Sequence, residues 1–126
     1  MSERDYHEKA RLILIVLLFT GMRIGECLGL AWEDIDFEKK TIFIHHTLSC
    51  VDGECYLDSP KTKSSIRLIA MNSTVEKCLR DQQAYVEELR MALDNKYTHP
   101  EMVFPSGLGN YRDRCSVYHS LKRMTK

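Results

Sequence analysis

Thr20-Gly21-Met22-Arg23-Ile24-Gly25-Glu26-Cys27-Leu28-Gly29-Leu30-Ala31-Trp32-Glu33-Asp34-Ile35-Asp36 turns one helix into another and then breaks into an acidic segment. Thr20-Gly21 suits a helix C-terminus, because glycine enters the left-handed conformation without a Cβ penalty. Residues 23–30 restore helical spacing through Ile24, Cys27, Leu28 and Leu30, so two helices meet at a tight corner. Upstream, residues 5–19 read as a helix that is amphipathic at first and then apolar on every side, the pattern of a helix buried in a core. Downstream, residues 41–48 are rich in β-branched and aromatic side chains. Val51-Asp52-Gly53-Glu54 is a turn, residues 55–57 offer a short strand, and residues 66–71 a second clear one. Asn72-Ser73-Thr74 supplies an N-cap for a long surface helix over residues 75–93. Residues 97–110, with Pro100, Pro105 and two glycines, read as loop, and residues 112–124 as a last helix. Helices grouped around a small three-stranded antiparallel sheet make a mostly helical α+β domain.

A chain of 126 residues can bury roughly two thirds of the surface it exposes when unfolded, which is enough for one core. Hydrophobic residues make up 44% and charged residues 29%, a balance that fits neither a disordered tail nor a membrane protein. The longest apolar run, residues 12–19, falls far short of the roughly 20 residues needed to cross a bilayer. Residues 1–8 are too acidic and polar for a signal peptide, so the reading is a cytoplasmic protein.

Five cysteines (Cys27, Cys50, Cys55, Cys78, Cys115) are odd in number and scattered, which makes reduced thiols the expectation. Cys27 and Cys78 lie on apolar helical faces as small core residues. His45, His46, Cys50 and Cys55 cluster around one hairpin. Adjacent histidines in a strand point to opposite faces, however, and the Cys-x4-Cys spacing lacks a partner pair, so no metal site is expected.

Lysine plus arginine equals aspartate plus glutamate at 18 each, so overall charge gives no support for nucleic-acid binding. The local distribution differs. Residues 61–67 (KTKSSIR) hold three cations and no acid, and residues 112–126 hold five cations against Asp113 alone. The balancing acids sit elsewhere, notably at Glu33, Asp34, Asp36 and Glu38.

Arg23 is not explained by local physics. The start of a helix carries partial positive charge, so an arginine there is mildly unfavourable, by up to about 1 kcal/mol. A helix start with free N–H groups and a guanidinium beside it is instead suited to hold a phosphate. The plain structural alternative pairs Arg23 with Glu26 three residues on, an interaction worth about 0.2–0.5 kcal/mol. Glu26 can also do both jobs, steering the guanidinium while leaving its outer edge free.

The stretch from Thr20 to Asp36 resembles the first active-site box of the tyrosine recombinases, the phage integrase family, with its pattern T-G-x-R-x-x-E-hydrophobic-x-x-L-x-W-x-D-I-D. Ser59-Pro60-Lys61-Thr62-Lys63-Ser64-Ser65-Ile66-Arg67-Leu68-Ile69-Ala70-Met71 resembles the P-K-T-x-x-S-x-R hairpin that such integrases carry after that box. The resemblance covers about residues 10–80 well and the rest loosely. It implies a site-specific recombinase of a mobile genetic element that cleaves and rejoins double-stranded DNA through a 3′-phosphotyrosyl link. The chemistry implied uses no metal or other cofactor and no small-molecule substrate, and the assembly implied is a tetramer on DNA. Arg23 takes the position of the arginine that grips the scissile phosphate, and Lys61 that of the catalytic lysine. A lysine on a hairpin tip can enter the minor groove and protonate the departing 5′ oxygen. Glu26 would support Arg23. Lys63 and Ser64 are candidate contacts to backbone phosphates, and Arg67 either another such contact or a support for its strand.

Other parts of the family pattern are missing. No His-x-x-Arg occurs anywhere, since His7 and His119 are followed by arginine at the fourth position instead of the third. Tyr111 and Tyr118 come before the point where the family places its second arginine and read as core or surface aromatics. The expectation is therefore one part of a catalytic domain over residues 1–126, without a core-binding domain or the late catalytic boxes, and inactive by itself. Rival readings are a non-catalytic DNA-binding or assembly module on the same scaffold, and an interaction domain that docks a partner through residues 75–93.

Overall fold

The computed structural model describes residues 9–59 and 65–124. Helix α1 (Ala10–Thr20) ends where the sequence places its stop: Gly21 has φ 70° and donates its N–H to the Leu17 carbonyl at 3.0 Å. A short helix α2 (Ile24–Leu28) follows, then a 3-10 turn (Trp32–Asp34) that leads into strand β1 (Ile35–Asp36). Strands β2 (Thr41–Ile44), β3 (Thr47–Val51), β4 (Glu54–Asp58) and β5 (Arg67–Ala70) come next. Helix α3 (Ser73–Leu93) and helix α4 (Arg114–Met124) complete the order. The α+β class read from the sequence is the class observed.

The sheet differs from the expectation in its membership. Residues 41–48 do not form one strand, because the chain leaves the sheet at His45 and His46. The three antiparallel strands are β1, β2 and β5, in that order. Strands β3 and β4 form a separate two-stranded hairpin, closed by Asp52 and Gly53 at φ 52° and 82°. Two successive residues of positive φ are what a two-residue turn needs to match the twist of its flanking strands.

The hairpin also overturns the expectation of five reduced thiols. Cys50 and Cys55 are partners in register, 4.0 Å apart at Cα, and are joined as a disulfide, whereas Cys27, Cys78 and Cys115 are free. Spacing alone conceals this pair, because two cysteines five residues apart come face to face only once the turn is known to contain two residues.

The core lies between α1, α2, α3 and the inner face of β2. Ile13, Val16, Leu28, Ile42, Ile44, Val75 and Leu79 are all buried within it. Residues 97–110, read as loop, add Met102, Val103 and Phe104, each almost fully buried. They are held by an isolated bridge between Ala31 and Met102, by the Val103 N–H donated to the Leu30 carbonyl at 3.0 Å, and by Gln82 donating to the Val103 carbonyl at 2.9 Å. Burial of α1 is one-sided, against the expectation. Ala10, Ile13 and Val16 are enclosed, while Leu18 and Phe19 keep 72% and 56% exposure because no described residue covers that face. Among the described residues, no helix is long and apolar enough to cross a membrane.

Two glycines of the arginine box let α2 lie directly on β3. A Cβ at Gly25 would stand 2.5 Å from Thr47 Oγ1 and 3.3 Å from the Leu48 carbonyl oxygen, and one at Gly29 would stand 3.1 Å from the Leu48 nitrogen. Gly25→Ala is therefore expected to lower stability by about 1–3 kcal/mol through forced separation of helix and hairpin. The readout is a lower urea midpoint at unchanged m-value, and an unchanged midpoint would show that the hairpin yields without cost.

Candidate functional site

Arg23 occupies the corner between α1 and α2 in extended conformation (φ −77°, ψ 151°). Its backbone N–H donates to Glu26 Oε1 at 2.8 Å, so Glu26 caps the helix it belongs to. Because α2 is only five residues long, the cationic character of the corner comes chiefly from the arginine itself.

The Glu26 side chain is buried at 5% exposure, and its charge is met from across the fold. Arg67 stands opposite Ile44 in the β2–β5 register, on the inner face of the sheet. Its two terminal nitrogens reach Glu26 Oε2 and Oε1, each at 3.0 Å, and one of them also donates to the Ser65 carbonyl at 3.0 Å. Burial pushes the Glu26 carboxyl up. The Arg67 hydrogen bonds, the Arg23 N–H and the charge of both arginines outweigh that effect and hold the carboxyl below its ordinary value. Arg67, a candidate either for phosphate contact or for strand support, thus spends both terminal nitrogens on Glu26.

With Glu26 taken by Arg67, the Arg23 guanidinium is left exposed, and no described residue forms a hydrogen bond or ion pair with it. The simple Arg23–Glu26 side-chain pair weighed from the sequence is not what the fold makes. Arg23 stands on the wall of a cleft of about 270 Å³ that His46, Thr47, Ser49 and Asp58 also line. Such a cleft offers a cation, hydroxyl donors and two carboxylates, Asp58 and the Arg67-paired Glu26, around a space with room for a phosphate group.

Lys61, Lys63 and Ser64 lie outside the described residues. The described residues on either side of that segment, Ser59 and Ser65, both line the Arg23 cleft. Tyr111 stacks on His99 with ring centroids 4.1 Å apart, and Tyr118 is exposed on α4. The groups weighed as a metal set have other partners: His45 is bonded to Asp34, and Cys50 to Cys55. Sequence reading missed His46 as a member of the cleft, because it placed both histidines inside one strand.

Comparison with known proteins agrees with this architecture. The phage integrase family matches residues 2–126. The ICEBs1 integrase of Bacillus subtilis (strain 168) is 36% identical over 89 residues, covering 71% of this chain and 24% of that protein. A XerC-like tyrosine recombinase of Caldanaerobacter subterraneus subsp. tengcongensis is 31% identical over 124 residues, covering 88% of this chain and 32% of that protein. Among solved structures, a Tn1549 transposon integrase in complex with a circular intermediate DNA aligns with a TM-score of 0.69 at 25% identity, over 92% of this chain and 37% of that one. The chain thus spans about a quarter to a third of the length of these two curated relatives. An exposed arginine at a helix corner, its neighbouring glutamate buried against a strand arginine, and a match along almost the whole chain place it in the phage integrase family of tyrosine recombinases.

Proposed function

We propose that this chain supplies the Arg23 and Lys61 portion of the catalytic domain of a site-specific DNA recombinase serving a mobile element. The observation that carries the reading is the Arg23 guanidinium, exposed on a cleft wall while Glu26, its nearest acid in sequence, is held by Arg67. A planar guanidinium without a partner among the described residues matches the two nonbridging oxygens of a phosphodiester. Attack on that phosphorus adds negative charge, which a fixed cation stabilises more in the transition state than in the ground state.

Covalent reach supports the same role for Lys61. It follows Ser59, a residue of the cleft wall, by two positions, and two residues span at most about 7 Å of chain. Lys61 would act as general acid toward the departing 5′ oxygen, and Lys63 and Ser64 would contact neighbouring phosphates. Arg67 serves the site indirectly in this reading, by engaging the Glu26 carboxylate in place of the Arg23 guanidinium. The second arginine, the histidine and the tyrosine nucleophile of the reaction would come from residues beyond these 126, since the sequence contains no His-x-x-Arg. The chain alone is therefore inactive in strand cleavage, and tetrameric assembly on DNA belongs to the larger protein.

DNA binding by this chain should be weak and steeply salt-dependent, because its net charge is zero and only local basic segments can release counterions. Fluorescence anisotropy with a labelled duplex, titrated from low to moderate salt, measures this. Submicromolar binding that ignores salt would overturn the reading, as would Arg23→Ala that binds like the unmodified chain at low salt.

A further inference from the structure

His46 is fixed at the Arg23 cleft by contacts that begin in the buried acidic box. Asp34 is 8% exposed; its Oδ2 accepts the Ala31 N–H at 3.0 Å, and its Oδ1 lies 2.6 Å from His45 Nε2. So held, the His45 ring stacks on Phe43, with centroids 4.5 Å apart and planes 9° from parallel. The His46 ring rests against the His45 ring, centroids 3.9 Å apart. Both rings can meet because β2 ends at Ile44 and β3 starts at Thr47, which frees residues 45 and 46 from strand alternation. His46 is half-buried and lines the cleft beside Arg23, and no described residue hydrogen-bonds to its ring.

An imidazole carries at least one N–H donor in either protonation state. On the wall of a cleft that already holds a guanidinium, that donor has no acceptor among the described residues. Among the charged groups there, Glu26 is paired with Arg67, and Asp58 lines the same cleft as Arg23. Retention of an anion then depends on further donors beside Arg23. We propose that His46 donates a hydrogen bond to a phosphate oxygen of DNA in the Arg23 cleft, as a second contact to the phosphate backbone. This inference rests on the reading of the cleft as a DNA phosphate site. Asp34 and His45 act as positioning residues, and they give the acidic box a part in the site: it sets the angle of the His46 ring.

The test compares His46→Ala, His46→Arg and Arg23→Ala in the 126-residue chain, using a fluorescein-labelled 25-base-pair duplex at low salt and thermal unfolding in parallel. His46→Ala should weaken binding by about three- to tenfold, the scale of one solvent-accessible hydrogen bond. His46→Arg should recover or exceed the starting affinity and steepen the salt dependence by about one counterion. Melting temperatures should stay close to that of the unmodified chain. Unchanged binding by His46→Ala would overturn the proposal, and so would parallel loss of affinity and melting temperature in both His46 variants, which marks a packing role. If Arg23→Ala weakens binding and His46→Ala does not, this inference alone fails. If neither variant matters, the reading of the cleft fails with it.

Discussion

Arg67→Ala is expected to lower the unfolding free energy by about 2–3 kcal/mol at neutral pH, because it strands a buried carboxylate. Glu26 keeps only 6% of its side chain exposed and receives two bonds from Arg67. Removing one partner of a fully buried ion pair costs about 3–5 kcal/mol; Arg67 retains 35% side-chain exposure, so water screens part of the loss and the lower figure applies. The effect has a defined pH dependence. The folded-state Glu26 carboxyl is held below its ordinary value, so its contribution is present above the unfolded carboxylate pKa of about 4.3 and is lost as pH falls through the folded value. The gap between the original chain and the variant should therefore be full at pH 7 and close as the solution is made acid. Urea unfolding at several pH values measures it. An unchanged midpoint at pH 7 would mean that Glu26 is solvated or finds another cation.

That pair shows where the sequence stops being informative. Helix stops and caps are local chemistry and were legible: Gly21 ends α1, and Asn72 Oδ1 accepts the Val75 N–H at 2.8 Å as the cap of α3. Richness in β-branched and aromatic residues over residues 41–48 marked β2, though with too late an end, and residues 66–71 marked β5. By contrast, Glu26 and Arg67 are 41 residues apart, and only strand register brings the arginine over α2. Arg23 therefore had its nearest acid in sequence, Glu26, as the obvious partner, and tertiary structure gave that acid to another residue. The break at His45 and His46 was hidden for a similar reason. Residues 41–48 carry strand propensity throughout, but the Asp34 side chain captures His45 and the chain turns there into a separate hairpin. Strand β1 is two residues long, too short for any periodicity to mark. Residues 97–110 contain enough proline and glycine to read as surface loop, yet Val103 and Phe104 sit in the core because that loop pairs with the arginine box through Ala31 and Leu30. Local physics singled out Arg23 as a cation at a helix start without a local reason to be there, and the string from Thr20 to Asp36 carried its resemblance to the arginine box.

Arg23→Lys, in a full-length recombinase that contains this chain, is expected to reduce strand cleavage by roughly 10²-fold or more while leaving fold and overall DNA affinity nearly unchanged. Geometry gives the direction. A guanidinium meets two phosphate oxygens in one plane, whereas an ammonium of equal charge contacts them as a point. If Arg23 stabilises charge that develops at phosphorus, loss of one preorganised donor corresponds to about 2.7–4 kcal/mol in the barrier. Affinity is spread over many phosphates and so conceals the change. The structure also says why stability should be spared. The bonds that Arg23 contributes to the fold among the described residues are its backbone N–H to Glu26 and its carbonyl accepting the Cys27 N–H, which every non-proline residue retains, and its guanidinium has no hydrogen-bond or ion-pair partner among them. Arg23→Ala should accordingly melt close to the unmodified protein, the opposite of Arg67→Ala. Single-turnover cleavage measured beside thermal unfolding separates these cases. Near-normal cleavage by the lysine variant would remove Arg23 from the chemistry, and a melting loss equal to that of Arg67→Ala would return it to the scaffold.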